Sequence, residues 1–148
     1  MKPHWLTMIL VFLASSTFAQ DDATKEELKK LQGSWVRTLF SADGKTEDDG
    51  DRPADKAVYL DIKGNDFHGQ KFTIDITKSP RHLDIIDVGP KGKQFTLPGI
   101  YELKGDVLKI CLPFPFEGKT EGLHKRPTEF ATKAGENHVV EVYRRVKK

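Results

Sequence analysis

The chain carries a single cysteine, Cys111, among its 148 residues. An intramolecular disulfide is therefore impossible, and packing must hold the fold. There is also little excess of either charge. The sequence has 24 basic and 22 acidic side chains, a net charge of +2 with histidine neutral, and the two signs are interspersed. A nucleic-acid-binding domain concentrates a basic excess on one face. The one basic cluster here, Arg144, Arg145, Lys147 and Lys148, reads as a solvated strand end. No nucleic-acid partner is expected. Long apolar runs are missing too. The stretch from Trp5 to Leu13 is interrupted by Thr7 and is well short of the ~20 residues that cross a bilayer. Internal repeats and low-complexity tracts are absent. With 31% charged and 37% hydrophobic residues, the composition suits one soluble globular domain.

What is present begins with a three-part N-terminus. Lys2 and His4 make a short positive start, Trp5 to Leu13 is apolar, and Ala14, Ser15, Ser16 and Thr17 are small. Thr17-Phe18-Ala19 then places small residues third from last and last before a cut. This order predicts a secretory signal peptide over 1–19 and a mature domain over 20–148, exported to the periplasm or the extracellular space. No cysteine follows the apolar run, which excludes a bacterial lipid anchor at the new N-terminus. No stable membrane anchor is expected after cleavage.

Residues 21–32 read as one short helix. Asp22 or Thr24 can cap it, Glu26 and Glu27 suit its first turn, and Lys29 and Lys30 suit its last. Leu28 and Leu31 give it an apolar edge, and Gly33 stops it. From Gly33 onward the apolar period changes to two. Trp35, Arg37 and Leu39 alternate with Val36, Thr38 and Phe40. Val58, Leu60 and Ile62 form a half-buried strand that turns at Gly64-Asn65. Phe72, Ile74 and Ile76 mark another, and 83–88 the next. Segments 99–103 and 107–112 form a hairpin; a turn at Lys104-Gly105 would set Tyr101 opposite Leu108. A short strand at 128–132 and a last one from 138 to 146 complete the set. Segments 41–56 and 113–127 read as long loops. About eight short antiparallel strands with frequent turns, after one N-terminal helix, predict an all-β barrel.

Few residues stand out chemically. Cys111 falls on the Lys109 side of its strand, which suggests partial exposure, yet cysteine is usually a small packing residue. His68, His82, His124 and His138 are dispersed and lack ligand spacing. Glu47, Asp48, Asp49, Asp51 and Asp55 crowd one loop without the order of a calcium-binding loop. A solvated acidic loop is expected. The sequence points to no metal, no cofactor and no catalytic set.

The motif Gly33-Ser34-Trp35 follows the helix and opens the first strand. It is similar to the Gly-x-Trp signature of lipocalins. Further stretches are Leu28 to Trp35, Asp43-Gly44-Lys45, Gly99-Ile100-Tyr101-Glu102-Leu103, Leu108-Lys109-Ile110-Cys111-Leu112, Arg126-Pro127-Thr128-Glu129-Phe130 and Val142-Tyr143-Arg144-Arg145. On these the mature chain resembles an uncharacterised lipocalin-like domain family abundant in planctomycete-type bacteria. The resemblance implies a single antiparallel lipocalin-like barrel whose floor is closed by Trp35 under an arginine of the last strand, Arg145 in preference to Arg144. The region 61–72 is shorter than the family pattern, so a mid-barrel strand is expected to be truncated. The family implies a fold and a compartment but no reaction.

Two functions fit. The first is non-enzymatic binding of a small apolar ligand in or at the mouth of the barrel. The second is an envelope-protein interaction or structural module with a filled barrel, which the large interior residues Phe72, Ile74, Ile76, Leu108, Ile110 and Leu112 favour slightly. The expected ligand or contact region comprises Tyr101, Phe114, Phe116, Arg126 and Glu129.

Overall fold

The computed structural model describes residues 15–114 and 123–147 of the chain. A helix, α1 (Ser15–Leu31), precedes nine strands among the described residues: β1 (Gly33–Ala42), β2 (Lys45–Asp48), β3 (Tyr59–Lys63), β4 (Asp66–Phe67), β5 (Gln70–Asp75), β6 (Arg81–Val88), β7 (Gln94–Lys104), β8 (Val107–Pro113) and β9 (His138–Arg145). Each pairs antiparallel with its neighbour in the order β2-β1-β3-β4-β5-β6-β7-β8-β9, and β1 also pairs with β9. That last pairing closes an eight-stranded barrel of β1 and β3 to β9. Closure leaves the barrel no free edge. The all-β architecture behind one N-terminal helix is thus as the alternation predicts. The truncated strand is β4, with only two residues.

Four details differ from the sequence expectation. The described helix already includes residues 15–20, ahead of the expected start at residue 21, because none of them breaks a helix; the cut expected after Ala19 therefore falls inside it. Residues 1–14 lie outside the described residues. Segment 41–56 is not one loop. Asp43 and Gly44, both at positive φ, form a tight turn that sends β2 back along β1, with Phe40 opposite Glu47. The Asp-Gly pair is a strong hairpin signal that the acidic run outweighed. In the β7–β8 hairpin the turn lies one residue later than expected, so Tyr101 faces Ile110 and Leu103 faces Leu108. A two-residue change of partner keeps every side chain on its face. Finally, 128–132 is not a strand. Residues 123–137 instead run irregularly across the outside of the barrel.

That outer segment accounts for Cys111. Phe130 packs on a second cluster formed by Ile100, Cys111 and Val140, so Cys111 is fully buried on the outward face. The packing reading of Cys111 holds although its strand face points outward, because a distant part of the chain covers this patch. The segment is fixed by Arg126, whose Nη1 donates to Asp84 Oδ1 at 2.6 Å and to the Gly99 carbonyl at 2.5 Å. Ser41 and Thr132 hydroxyls meet at 2.9 Å, and the Gly135 amide donates to Asp43 Oδ1 at 2.6 Å.

The main core fills the helix end of the barrel. Leu31, Trp35, Ile62, Phe72, Leu83, Tyr101, Leu108 and Ile110 pack there, and the space among them holds no water-sized void. The helix is sewn to this floor at its C-terminus. Gln32 Nε2 donates to the Leu28 and Gly64 carbonyls at 2.8 and 3.0 Å, and the Gly64 amide donates to Gln32 Oε1 at 2.5 Å. Trp35 Nε1 donates to the Leu31 carbonyl at 3.0 Å.

Candidate functional site

The opposite half of the barrel is hollow. Between the packed floor and the β6–β7 end lies a cavity of about 1070 Å³, at the upper end of small-molecule sites. Its apolar walls include Phe40, Leu60, Phe67, Ile85, Phe95, Leu97, Leu112 and Val139. Phe114 and Leu123 stand at the mouth, together with His68, Asp87, Lys93 and His124. The barrel is therefore neither empty nor filled throughout.

A charged group sits at the bottom of the cavity. Arg37 Nη1 donates to Glu141 Oε1 at 2.8 Å, and its Nε donates to Asp49 Oδ2 at 2.7 Å. The Arg37, Asp49 and Glu141 side chains are 13%, 1% and 18% exposed. Arg37 also lies 4.6 Å from the Phe40 ring centroid. Arg52 Nε stands 2.7 Å from Asp49 Oδ1 as an ion pair. Burial works against the Arg37 charge, but the bonds to Glu141 and Asp49 outweigh it and raise its pKa. The Tyr143 hydroxyl is pushed well above its usual value, first by burial and then by the Glu141 carboxylate. At neutral pH it keeps its proton.

A β-bulge assembles this group. The register between β1 and β9 shifts between Arg37 and Leu39, so Arg37 and Phe40 both face the interior although three apart. Such a bulge re-aims side chains. It also frees the Thr38 carbonyl to accept the Asp49 amide at 2.9 Å, while Thr38 Oγ1 donates to the Val142 carbonyl at 3.2 Å. Asp49, expected in a solvated acidic loop, is thereby carried to a buried position beside Arg37.

The expected signature residues meet at the floor. Arg145 Cζ lies 4.1 Å from the Trp35 ring centroid. A Cβ on Gly33, whose φ is +121°, would sit 3.3 Å from Arg145 Nη1. The expected contact residues do not gather. Tyr101 is buried in the packed half, its hydroxyl 3.5 Å from Glu27 Oε1, because its position on β7 is near the helix end. Glu27 is paired there with Arg81. Arg126 is a strut for the outer segment rather than a cavity residue. Glu129 is exposed and 3.4 Å from Lys133. Phe114 alone of the group lines the cavity; Phe116 lies outside the described residues. Arg37, Glu141 and Tyr143 were missed, although a signal existed. If Arg145 faces inward, period two turns Tyr143 and Glu141 inward as well.

Cys111 offers no nucleophile at neutral pH. Burial, helped by Glu136, pushes its thiol up to about 12, and the thiolate is the reactive form. Among the described residues no three His, Cys, Asp or Glu side chains converge as a metal site, and no helix is long and apolar enough to cross a membrane. Neither a family model, nor a curated protein, nor a solved structure matches the chain.

Proposed function

We propose that this chain is an exported, lipocalin-like carrier that holds one small, largely apolar molecule inside the barrel without chemically changing it. The supporting observation is the cavity of about 1070 Å³, walled by aromatic and aliphatic side chains above a sealed floor. Binding in such a site gains from burying apolar surface while a few placed polar groups set orientation. Export rests on the order of charged, apolar and small residues at the N-terminus. The non-enzymatic reading rests on the inward carboxylates Glu141 and Asp49, both already bonded to Arg37, and on the protonated thiol of Cys111. The rival reading, a filled barrel used as an interaction module, is weakened by the hollow half. The test is native mass spectrometry of the protein purified from its own source, with and without organic extraction. A retained mass of a few hundred daltons that extraction removes supports the proposal. A bare chain that also fails to bind a neutral naphthylamine dye sinks it.

A further inference from the structure

Resting on that reading, we infer that the cavity selects an apolar chain ending in an uncharged hydrogen-bond donor, such as an alcohol, and discriminates against a carboxylate. The charges at the bottom of the cavity decide this. Arg37 is the cation a carboxylate ligand would seek, but its Nε and Nη1 are already engaged by Asp49 and Glu141. The neighbouring Tyr143 hydroxyl lies beside the same Glu141 carboxylate, which contributes to its raised pKa. Arg37 and Arg52 together balance Asp49 and Glu141. These four charges therefore sum to zero before any ligand enters. At the bottom of the cavity, away from Lys93 at the mouth, a bare carboxylate would stand against Glu141 where both guanidinium charges are already balanced, in a setting where water screens it poorly. An ammonium ligand would compete with Arg37 for Glu141 and leave the guanidinium underpaired. A hydroxyl adds no charge and can donate to Glu141, the wall carboxylate that remains 18% exposed. Hydrogen bonds to a charged acceptor are about twice as strong as neutral ones.

The mature protein is saturated with N-phenylnaphthylamine and titrated at neutral pH with dodecanol, dodecyl methyl ether and dodecanoate, each of the same chain length. The expected order is alcohol, then ether, then carboxylate, with alcohol about tenfold tighter than the ether, the scale of one hydrogen bond to a charged group. The ether keeps the chain and the oxygen and replaces the donor hydrogen by a methyl group, so apolar burial is at least as large as for the alcohol. Glu141→Gln then reverses the discrimination. It removes the carboxylate charge that both neutralises Arg37 and repels the ligand, although the amide oxygen can still accept from Nη1, so dodecanoate is expected to gain about tenfold or more, while the advantage of alcohol over ether shrinks. Circular dichroism and the retained dye signal establish that this near-isosteric variant is folded, and the wild-type series stands without it. Dodecanoate binding as tightly as dodecanol to wild-type protein, or alcohol no tighter than ether, overturns the inference and leaves the carrier reading in place. Failure of dye and all three amphiphiles to bind overturns the carrier reading itself.

Discussion

Arg145 stacks 4.1 Å from the Trp35 ring and, from the same guanidinium, donates to the carbonyls of Lys30 and Gln32 at 2.6 Å each. One side chain thus joins the last strand, the first strand and the end of α1. The last turn of a helix presents unpaired carbonyls and the negative end of the helix dipole, so a cation belongs there. Trp35 supplies a third link by donating to Leu31. Asp106 Oδ1, 3.1 Å from Arg145 Nε, holds the guanidinium from the other side.

Removing either partner should loosen the floor by different amounts. Trp35→Ala is expected to cost about 3–5 kcal/mol, as a large buried ring is lost and a cavity remains. Arg145→Ala should cost about 1–3 kcal/mol, from the ring contact and the carbonyls left unsatisfied. Urea denaturation of both variants reads these values. A Trp35→Ala curve that overlays wild type would refute the role of the ring.

Gly99 should tolerate no side chain. A Cβ there would collide with Leu112 Cδ2 and stand 2.8 Å from the Cys111 carbonyl and 3.0 Å from that of Leu83. Leu112 can rotate, but the two carbonyls belong to strands paired on either side. Gly99→Ala is expected to lose about 1–3 kcal/mol as overpacking. Because Leu112 lines the cavity, dye affinity should fall with it.

Arg126 should control access to Cys111. Arg126→Ala deletes its bonds to Asp84 and to the Gly99 carbonyl, two of the ties that hold residues 123–137 over the outer patch. Labelling of Cys111 by a thiol reagent in native buffer is expected to be very slow in wild type and faster in the variant. Equal rates in both would show that the segment does not depend on this strut.

Alkaline pH should destabilise the fold through the buried acids. The Cys111 thiol rises from an ordinary 9.0 to about 12 on folding. Its protonated form is favoured in the folded state, so the associated stability is intact below pH 9 and is lost progressively up to about pH 12. Tyr101 and Tyr143, both raised chiefly by burial, act in the same direction above their ordinary 10.0. Denaturation midpoints should fall from pH 9 upward, and Cys111→Ala should flatten the first part of that fall. A slope unchanged by this substitution would contradict the buried thiol.

Phe114 should matter for binding more than for folding. Its ring is 48% exposed and lines the cavity mouth. Phe114→Ser is expected to weaken dye binding about three- to tenfold, the effect of losing part of one aromatic contact, with little change in melting temperature. A collapse in stability would instead place the ring in the core.

Local pattern carried much of this fold. Alternation about Trp35, Phe72, Leu83, Leu108 and Ile110 marked the side chains that became core, since a strand shows its two faces with period two and the solvent-averse face must be covered. The same parity survived the two-residue slip in the β7–β8 partners, so Tyr101 and Leu103 stayed inward. The short β4 and the Gly33, Trp35 and Arg145 floor were also anticipated, through the family resemblance and not from residue type and spacing alone.

What local pattern could not carry is set by chain segments far apart in sequence. Cys111 sits on the outward face, as its alternation says, but only residues 123–137 folding back over it make that face interior. Asp49 looks like one carboxylate of a solvated run until the bulge at Thr38 and the guanidinium of Arg37 bury it. The hollow half of the barrel is likewise invisible residue by residue, because Phe40, Leu97 and Val139 are the same kinds of side chain that fill the floor. The sequence by itself determined which side of each strand avoids water and that no disulfide braces the fold. The tertiary structure alone decided which inward side chains meet and which face an empty space, because contact depends on strand tilt, bulge and closure, whereas alternation records only a preference for one side.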